Sequence, residues 1–308
     1  MKMGKWSIAF AVVLTLLTAY MLLDTFVIPE AYVKDVSISE QQAVQVVVEA
    51  ESEQDVITEN SETAVTEESE NTEDSDSSEI QLTTYRINDT NVYVADIVFS
   101  SAESIKTAFA QDTYGRKITD KTSDMAQQNN AVLAINGDYY GARESGYVIR
   151  NGVLYRDTPS DEDVLCIYSD GSMEIVDPSK VSAEELLEAG AWQVFSFGPG
   201  LLANGEYLVD QNDEVGRAMA SNPRTAIGMI DNNHYVFVVS DGRTQESEGL
   251  SLYELAEFMK SLGVRTAYNL DGGGSSTMVY EGGIVNTPAN GKHSSERSVS
   301  DIVYIESE

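Results

Sequence analysis

Hydrophobic and polar positions divide the chain into three unlike stretches. Lys2 and Lys5 precede an uncharged apolar run from Trp6 to Leu23, which Asp24 closes. As a helix the run is about 27 Å long, enough to cross the hydrocarbon core of a bilayer. Its end, AYMLLDTF, offers no small-x-small cleavage site, so the pattern predicts an uncleaved anchor and not a signal peptide. With lysines on its N-terminal side, the tip is expected in the cytoplasm and the bulk of the chain outside. Residues 1–34 are therefore expected to form a cytoplasmic tip and a single-pass transmembrane anchor, with the helix at about 6–23.

Residues 35–80 follow no hydrophobic period. Asp35 to Glu79 hold fifteen Asp or Glu and no Lys or Arg, interleaved with Ser, Thr, Gln and Asn. A segment so charged and so poor in aromatics cannot bury enough surface to offset its conformational entropy, which predicts a disordered, solvated stalk.

From Gln81 the pattern becomes that of a globular domain, expected to occupy 81–308 as one unit. NVYVADIVFS alternates as a strand does, whereas AVLAIN and HYVFVVS are short apolar runs of the kind buried on both faces. SLYELAEFMKSLG carries a helix: Ser251 and Glu254 form a capping box, Leu252, Leu255, Ala256, Met259 and Leu262 share one face, and Gly263 ends it. VSAEELLEAG reads as a second, shorter helix. Strands outnumber helices, so the expected fold is α+β (mixed α/β), a mixed β-sheet with helices packed on it.

Composition then narrows the chemistry. A formal charge of −32 and a pI near 4.1 give no electrostatic reason to bind nucleic acid. One cysteine, Cys166, permits no internal disulfide and sits in an apolar, strand-like setting that suits a buried thiol. With only His234 and His293, a His-rich metal site is excluded, and no nucleophile elbow supports a Ser-His-Asp triad.

Three apolar strands end in an acid beside a glycine: AVLAIN before Gly137-Asp138, HYVFVVS before Asp241-Gly242-Arg243, and TAYNL before Asp271 and Gly272-Gly273-Gly274. If they are neighbours in one sheet, their carboxylates converge on one rim, where strand-end loops bind ligands. A single Asp-Gly is ordinary turn chemistry. Three glycines exceed what a turn needs, and they allow backbone N–H groups to approach an anion, with Ser275, Ser276 and Thr277 adding hydroxyl donors. The segment lacks the Gly-Lys-Ser/Thr ending of a nucleotide loop. Positive charge is therefore expected from Arg224, Arg243 and Arg297, each on a turn-like stretch, since a guanidinium pairs well with phosphate or carboxylate.

INGDYY, FGPGLL, NPRTAIG, SDGR, NLDGGGSSTM and ERSVSDIVYI occur in this order, and the set resembles the phosphodiester glycosidase family. The resemblance runs from Thr84 to Ile305; it departs from the family pattern at Ser298 and at Ser300-Asp301, where more apolar residues are expected. It implies hydrolysis of a sugar-1-phosphodiester at the sugar carbon, in an envelope polysaccharide or other glycan, releasing sugar and phosphomonoester. Such chemistry normally uses two carboxylates. Asp271 is the first candidate, as nucleophile or as base for water, Asp138 the second carboxylate, with Glu296 and Asp241 in reserve. Asn136 and Asn269 are candidates for sugar hydroxyls or for holding turns, and Tyr139 and Tyr140 for stacking on a sugar or packing. Gly198-Pro199-Gly200 reads as a structural turn beneath the site.

No cofactor is required by this chemistry. Clustered Asp and Asn also admit a Ca2+-dependent hydrolase, although no calcium-loop spacing is present. A third reading is a non-catalytic cell-surface module that binds anionic polysaccharide with the same arginines; it would need the donors but not two acids flanking one point.

Overall fold

The computed structural model describes residues 12–21, 30–31, 79–211, 221–290 and 293–307. Residues 12–21 of the expected anchor are helical and exposed, while the rest of the apolar run lies outside the described residues. No described helix is long and apolar enough to cross a membrane. The acidic stretch is outside the described residues as far as position 78. Residues Glu30–Ala31 pair with Gly115–Arg116 as a short antiparallel ladder.

The globular part begins at Glu79 and is built around three large sheets, with two further two-stranded ladders among the described residues. The largest has seven strands in the order Glu206–Tyr207, Gly200–Ala203, Thr266–Asn269, Arg224–Asp231, His234–Ser240, Thr90–Val98 and Glu79–Ile87. A five-stranded sheet places Ala131–Asn136 between Met278–Tyr280 and Asp301–Glu306, with Gly283–Ile284 and Lys106–Phe109 at its edges. Another five-stranded sheet centres on Ala191–Phe195. Ile97, Phe237 and Tyr268 of the first sheet, Ile135 and Val303 of the second, and Leu165 and Phe195 of the third meet in one core.

The apolar run HYVFVVS is explained by burial on both faces. Tyr235, Phe237 and Val239 enter that shared core, whereas Val236 and Val238 pack beneath the helix Leu252–Ser261 with Leu255, Ala256 and Met259. The helix carries the predicted capping box. It lies close to the sheet because Gly228 has no side chain: a Cβ there would be 2.7 Å from Met259 and Val264 atoms. The second predicted helix is Ala183–Glu188, and a third, Thr122–Gln128, was not foreseen. Cys166 is buried in its strand, and burial pushes its thiol up to about 12, so it remains protonated at neutral pH.

The expected mixed sheet with covering helices is corrected in part. The domain is α and β in one unit, but helices are few and every ladder among the described residues is antiparallel. The supposed neighbours also separate. Ala131–Asn136 belongs to a different sheet from the other two strands, and Arg224–Asp231 lies between those two. Short loops join antiparallel strands readily, so no helical crossover is needed.

Candidate active site

Pairing in the seven-stranded sheet brings four strand ends to one rim. Gly200 faces Tyr268, Asn269 faces Ala226, and Arg224 faces Ser240. Reading across at about 4.8 Å per strand, the order is Gly198-Pro199, then Asn269 to Asp271, then Arg224, then the loop carrying Arg243. This rim borders a cleft of about 340 Å³ lined by Arg143, Glu162, Phe197, Asn222, Leu252, Asn269, the segment Asp271 to Gly273, and Arg224, Arg243 and Arg297.

Asp271 stands in the middle of that order. Its Oδ2 accepts from Arg297 Nη2 at 2.7 Å and from the Ser275 hydroxyl at 2.6 Å, and Arg297 also donates to the Ser275 oxygen. Burial raises the Asp271 carboxyl above its ordinary value, with Arg297, Ser275 and the Gly272 N–H pulling the other way. The turn is fixed from below by Asn136, whose amide donates to Asp271 O at 2.7 Å and whose Oδ1 accepts from Thr225 and Thr277. Asn136 is fully buried and holds the two sheets together; it does not line the cleft.

The arginines differ in how firmly they are held. Arg224 is buried, and its Nε donates to Leu250 O. Arg243 has a left-handed backbone, φ 60°, that directs its guanidinium to Asn222 Oδ1 at 2.8 and 3.0 Å. Arg143 lies over the Phe197 ring at 4.9 Å. Asn269 is anchored by its amide donating to Gly198 O, which leaves its buried Oδ1 without a hydrogen-bond partner in the described structure.

The glycine loop does not form the anion cradle expected of it. Gly273 N–H donates to Pro223 O at 2.8 Å, Ser275 and Ser276 N–H close the loop's own short turn, and Gly272 N–H is directed at Asp271. The glycines serve close packing instead. A Cβ on Gly272 would be 2.9 Å from Pro223 O, and one on Gly273 3.0 Å from Arg243 Nη2, with φ at 63°. Gly274 packs beside Asn290 away from the cleft. The Ser276 and Thr277 hydroxyls are buried and have no partner among the described residues, so of the three only Ser275 touches the site. Positive charge at the cleft comes from the guanidinium groups that line it.

Two expected carboxylates lie elsewhere. Asp138 is fully buried, with Oδ1 accepting from Tyr140 N and paired with Arg150 at 2.9 Å, and Oδ2 accepting from Ser196 N. Glu296 accepts from Ser123 N and the Ser123 hydroxyl, binding the first turn of the helix Thr122–Gln128. Neither lines the cleft. The reserve Asp241 accepts from Tyr93 and Thr287 N and is likewise structural. Tyr140 is buried in an aromatic cluster with Phe109 and Tyr114, whereas Tyr139 is exposed at the rim with Arg297 6.0 Å from its ring. Sequence reasoning missed Arg143, Glu162, Asn222 and Leu252 and gave Phe197 no role; only Phe197, inside FGPGLL, and Asn222, inside NPRTAIG, carried a signal. Glu162 is one acid within SDED and looks like any surface residue.

Asp138 belongs to a buried cluster in which Arg150 Nη2 also reaches Asp301 Oδ2 at 2.9 Å. Two carboxylates share one guanidinium, and Asp301 Oδ1 has no hydrogen-bond partner among the described residues. Burial pushes Asp301 up to about 7, with Arg150 pulling against it and the Asp138 charge adding to it. The native state thus keeps a proton that the unfolded chain releases near 3.8. Its contribution to stability is full below that value and is lost as pH rises through about 7. Thermal unfolding followed from pH 4 to 8 is expected to show this decline in the parent and a flatter profile in Asp301→Asn; equal slopes would remove the proton from Asp301. Among the described residues, no group of three or more His, Cys, Asp or Glu side chains is arranged to hold a metal ion.

The family model for phosphodiester glycosidase matches residues 129–306, more than half of the chain. The chain belongs to the phosphodiester glycosidase family. It is 30% identical over 200 residues to the SPbeta prophage-derived uncharacterized protein YomE of Bacillus subtilis, covering 62% of this chain and 30% of that protein. It is 28% identical over 173 residues to human N-acetylglucosamine-1-phosphodiester alpha-N-acetylglucosaminidase, covering 55% and 29%. The chain thus spans less than a third of the length of these curated relatives. In fold it is similar to the zebrafish catalytic domain of that enzyme, auto-inhibited by its pro-peptide, with a TM-score of 0.60 at 22% identity, covering 75% of this chain and 83% of that one.

Proposed function

We propose that the domain hydrolyses a sugar-1-phosphodiester at the bond between the sugar carbon and the phosphate oxygen, releasing a free sugar and a phosphomonoester. The observation that carries this reading is a carboxylate, Asp271, that lines a cleft bordered by four arginines and pairs with one of them. The human relative is named for the same kind of bond. A departing phosphomonoester gains negative charge as the bond breaks, and preorganised guanidinium groups stabilise such charge best in a site shielded from water. Arg224 and Arg243, on one flank of Asp271, are assigned to the phosphate. Asp271, raised by burial, is assigned proton transfer at the scissile oxygen. Asn269 Oδ1 and the Phe197 ring, on the other flank, are assigned to the sugar. A module that only bound polysaccharide would need the arginines but not a carboxylate buried among them.

The test incubates the purified protein with a panel of sugar-1-phosphodiesters and assays released reducing sugar. Release of phosphate-bearing sugar, or none, would reject the reading. Arg224→Ala and Arg243→Ala should each weaken binding of the phosphomonoester product by about 10- to 150-fold, as expected for losing a charge-assisted hydrogen bond of about 1.5–3 kcal/mol. Product titration by calorimetry measures this; parental affinity in both variants would place the phosphate elsewhere.

The location follows from the apolar run at 6–23 and its preceding lysines, which support a membrane-anchored protein with the domain outside the cell acting on an envelope glycan. Protease added to intact cells should then release the domain through the acidic stretch. Full protection would reject the topology.

A further inference from the structure

Glycoside cleavage ordinarily engages two carboxylates, and Asp138, Asp241 and Glu296 are all committed to structural bonds outside the cleft. Two acids line it among the described residues: Asp271 and Glu162. The two differ in burial, since Asp271 is buried and Glu162 is not. It is exposed, on the loop leading into the strand Val164–Tyr168, and its Oε2 lies against Gly198, 3.6 Å from where a Cβ would stand.

The sheet order places it. Gly198 precedes the strand Gly200–Ala203, which borders Thr266–Asn269 on the side away from Arg224. Asp271 is therefore flanked on one side by Arg224 and Arg243 and on the other by Glu162, with Arg143 and Phe197. The two flanks are separated by about two strand spacings, roughly 10 Å, which accommodates one sugar ring carrying a phosphate at one end. Arg224 and Arg243 on one flank outnumber the single Arg143 on the other, and a carboxylate repels phosphate, so the leaving group faces away from Glu162.

We propose that Glu162 is the second carboxylate of the reaction, taking the proton of a water that attacks the sugar carbon from the face opposite the phosphate, so that cleavage inverts the anomeric centre. This rests on the phosphodiester glycosidase reading of the same cleft. In the step, the water oxygen forms a bond to the anomeric carbon as the bond from that carbon to the phosphate oxygen breaks. The water proton passes to Glu162, the bonding electron pair leaves with the phosphomonoester, and Asp271 supplies a proton to that oxygen. Solvent then returns Glu162 and Asp271 to their starting states. Exposure suits Glu162 to this task, because a base for water must meet water, whereas Asp271 is buried against Arg297 and Ser275.

The experiment uses the full chain with N-acetyl-α-glucosamine 1-(methyl phosphate) and its α-glucose and α-galactose analogues. Proton NMR during the first turnovers is expected to show the β-anomer of the released sugar before mutarotation. Glu162→Gln is expected to lower kcat by about 10²- to 10⁴-fold while KM stays within about threefold, the signature of lost general-base catalysis. Glu162→Asp should recover part of that loss, and both variants should bind inorganic phosphate as the parent does. First appearance of the α-anomer, or parental kcat in Glu162→Gln, overturns the assignment of Glu162 and leaves the reaction standing. Failure of the parent to release sugar from any of the three probes overturns the reaction and this assignment together.

Discussion

Asp271→Asn is expected to lower turnover by about 10²- to 10⁴-fold with little change in substrate affinity. The amide keeps the shape of the carboxylate and its place beside Arg297 and Ser275, but it has no acidic proton to transfer. The pH dependence gives an independent readout. Burial raises the Asp271 carboxyl, so its protonated form persists to higher pH than that of an exposed aspartate. If Asp271 acts as the acid, the parental rate falls as pH rises through that raised value, and the variant lacks this fall. Steady-state kinetics across pH, with circular dichroism as a folding control, measures both. Near-parental turnover in the folded variant would falsify the assignment.

Gly273→Val is expected to abolish measurable activity by a different route. Gly273 has φ at 63°, and left-handed backbone costs an L-residue about 1–2 kcal/mol, more for a branched side chain. The new Cβ would also stand 3.0 Å from Arg243 Nη2, displacing the guanidinium from its place at Asn222. Lower thermal stability and loss of phosphomonoester binding should therefore appear together. Gly273→Ala meets the same backbone strain without the branch, and Arg243 can shift around one methyl group, so it should keep part of the binding. Full activity in Gly273→Val would mean that neither the turn geometry nor the position of Arg243 matters to the reaction.

What was legible along the chain was local. Ser251 and Glu254 cap their helix because residues three apart meet in a first turn, whatever the rest of the fold does. AVLAIN and HYVFVVS form strands at the expected positions because short apolar runs must be buried on both faces. Asp271, Arg224, Arg243 and Arg297 could be singled out because an acid before three glycines, and scarce cations on turn-like stretches, are unusual in a chain this acidic. Tertiary structure decided the partners, which local spacing leaves open. Asp138 and Asp271 look alike as acids after apolar strands, yet one strand entered the sheet that buries its acid against Arg150 and the other ended at the open rim. The glycine loop could have offered its N–H groups to a ligand; Pro223 O, from a distant turn, took one of them, and the loop closed on itself with others. Glu162, indistinguishable in SDED, gained its place because the fold brings its loop against Gly198, beside the strand next to Asp271. Which acid stays in water and which is locked by an arginine depends on contacts between residues far apart in sequence, and only folding sets those.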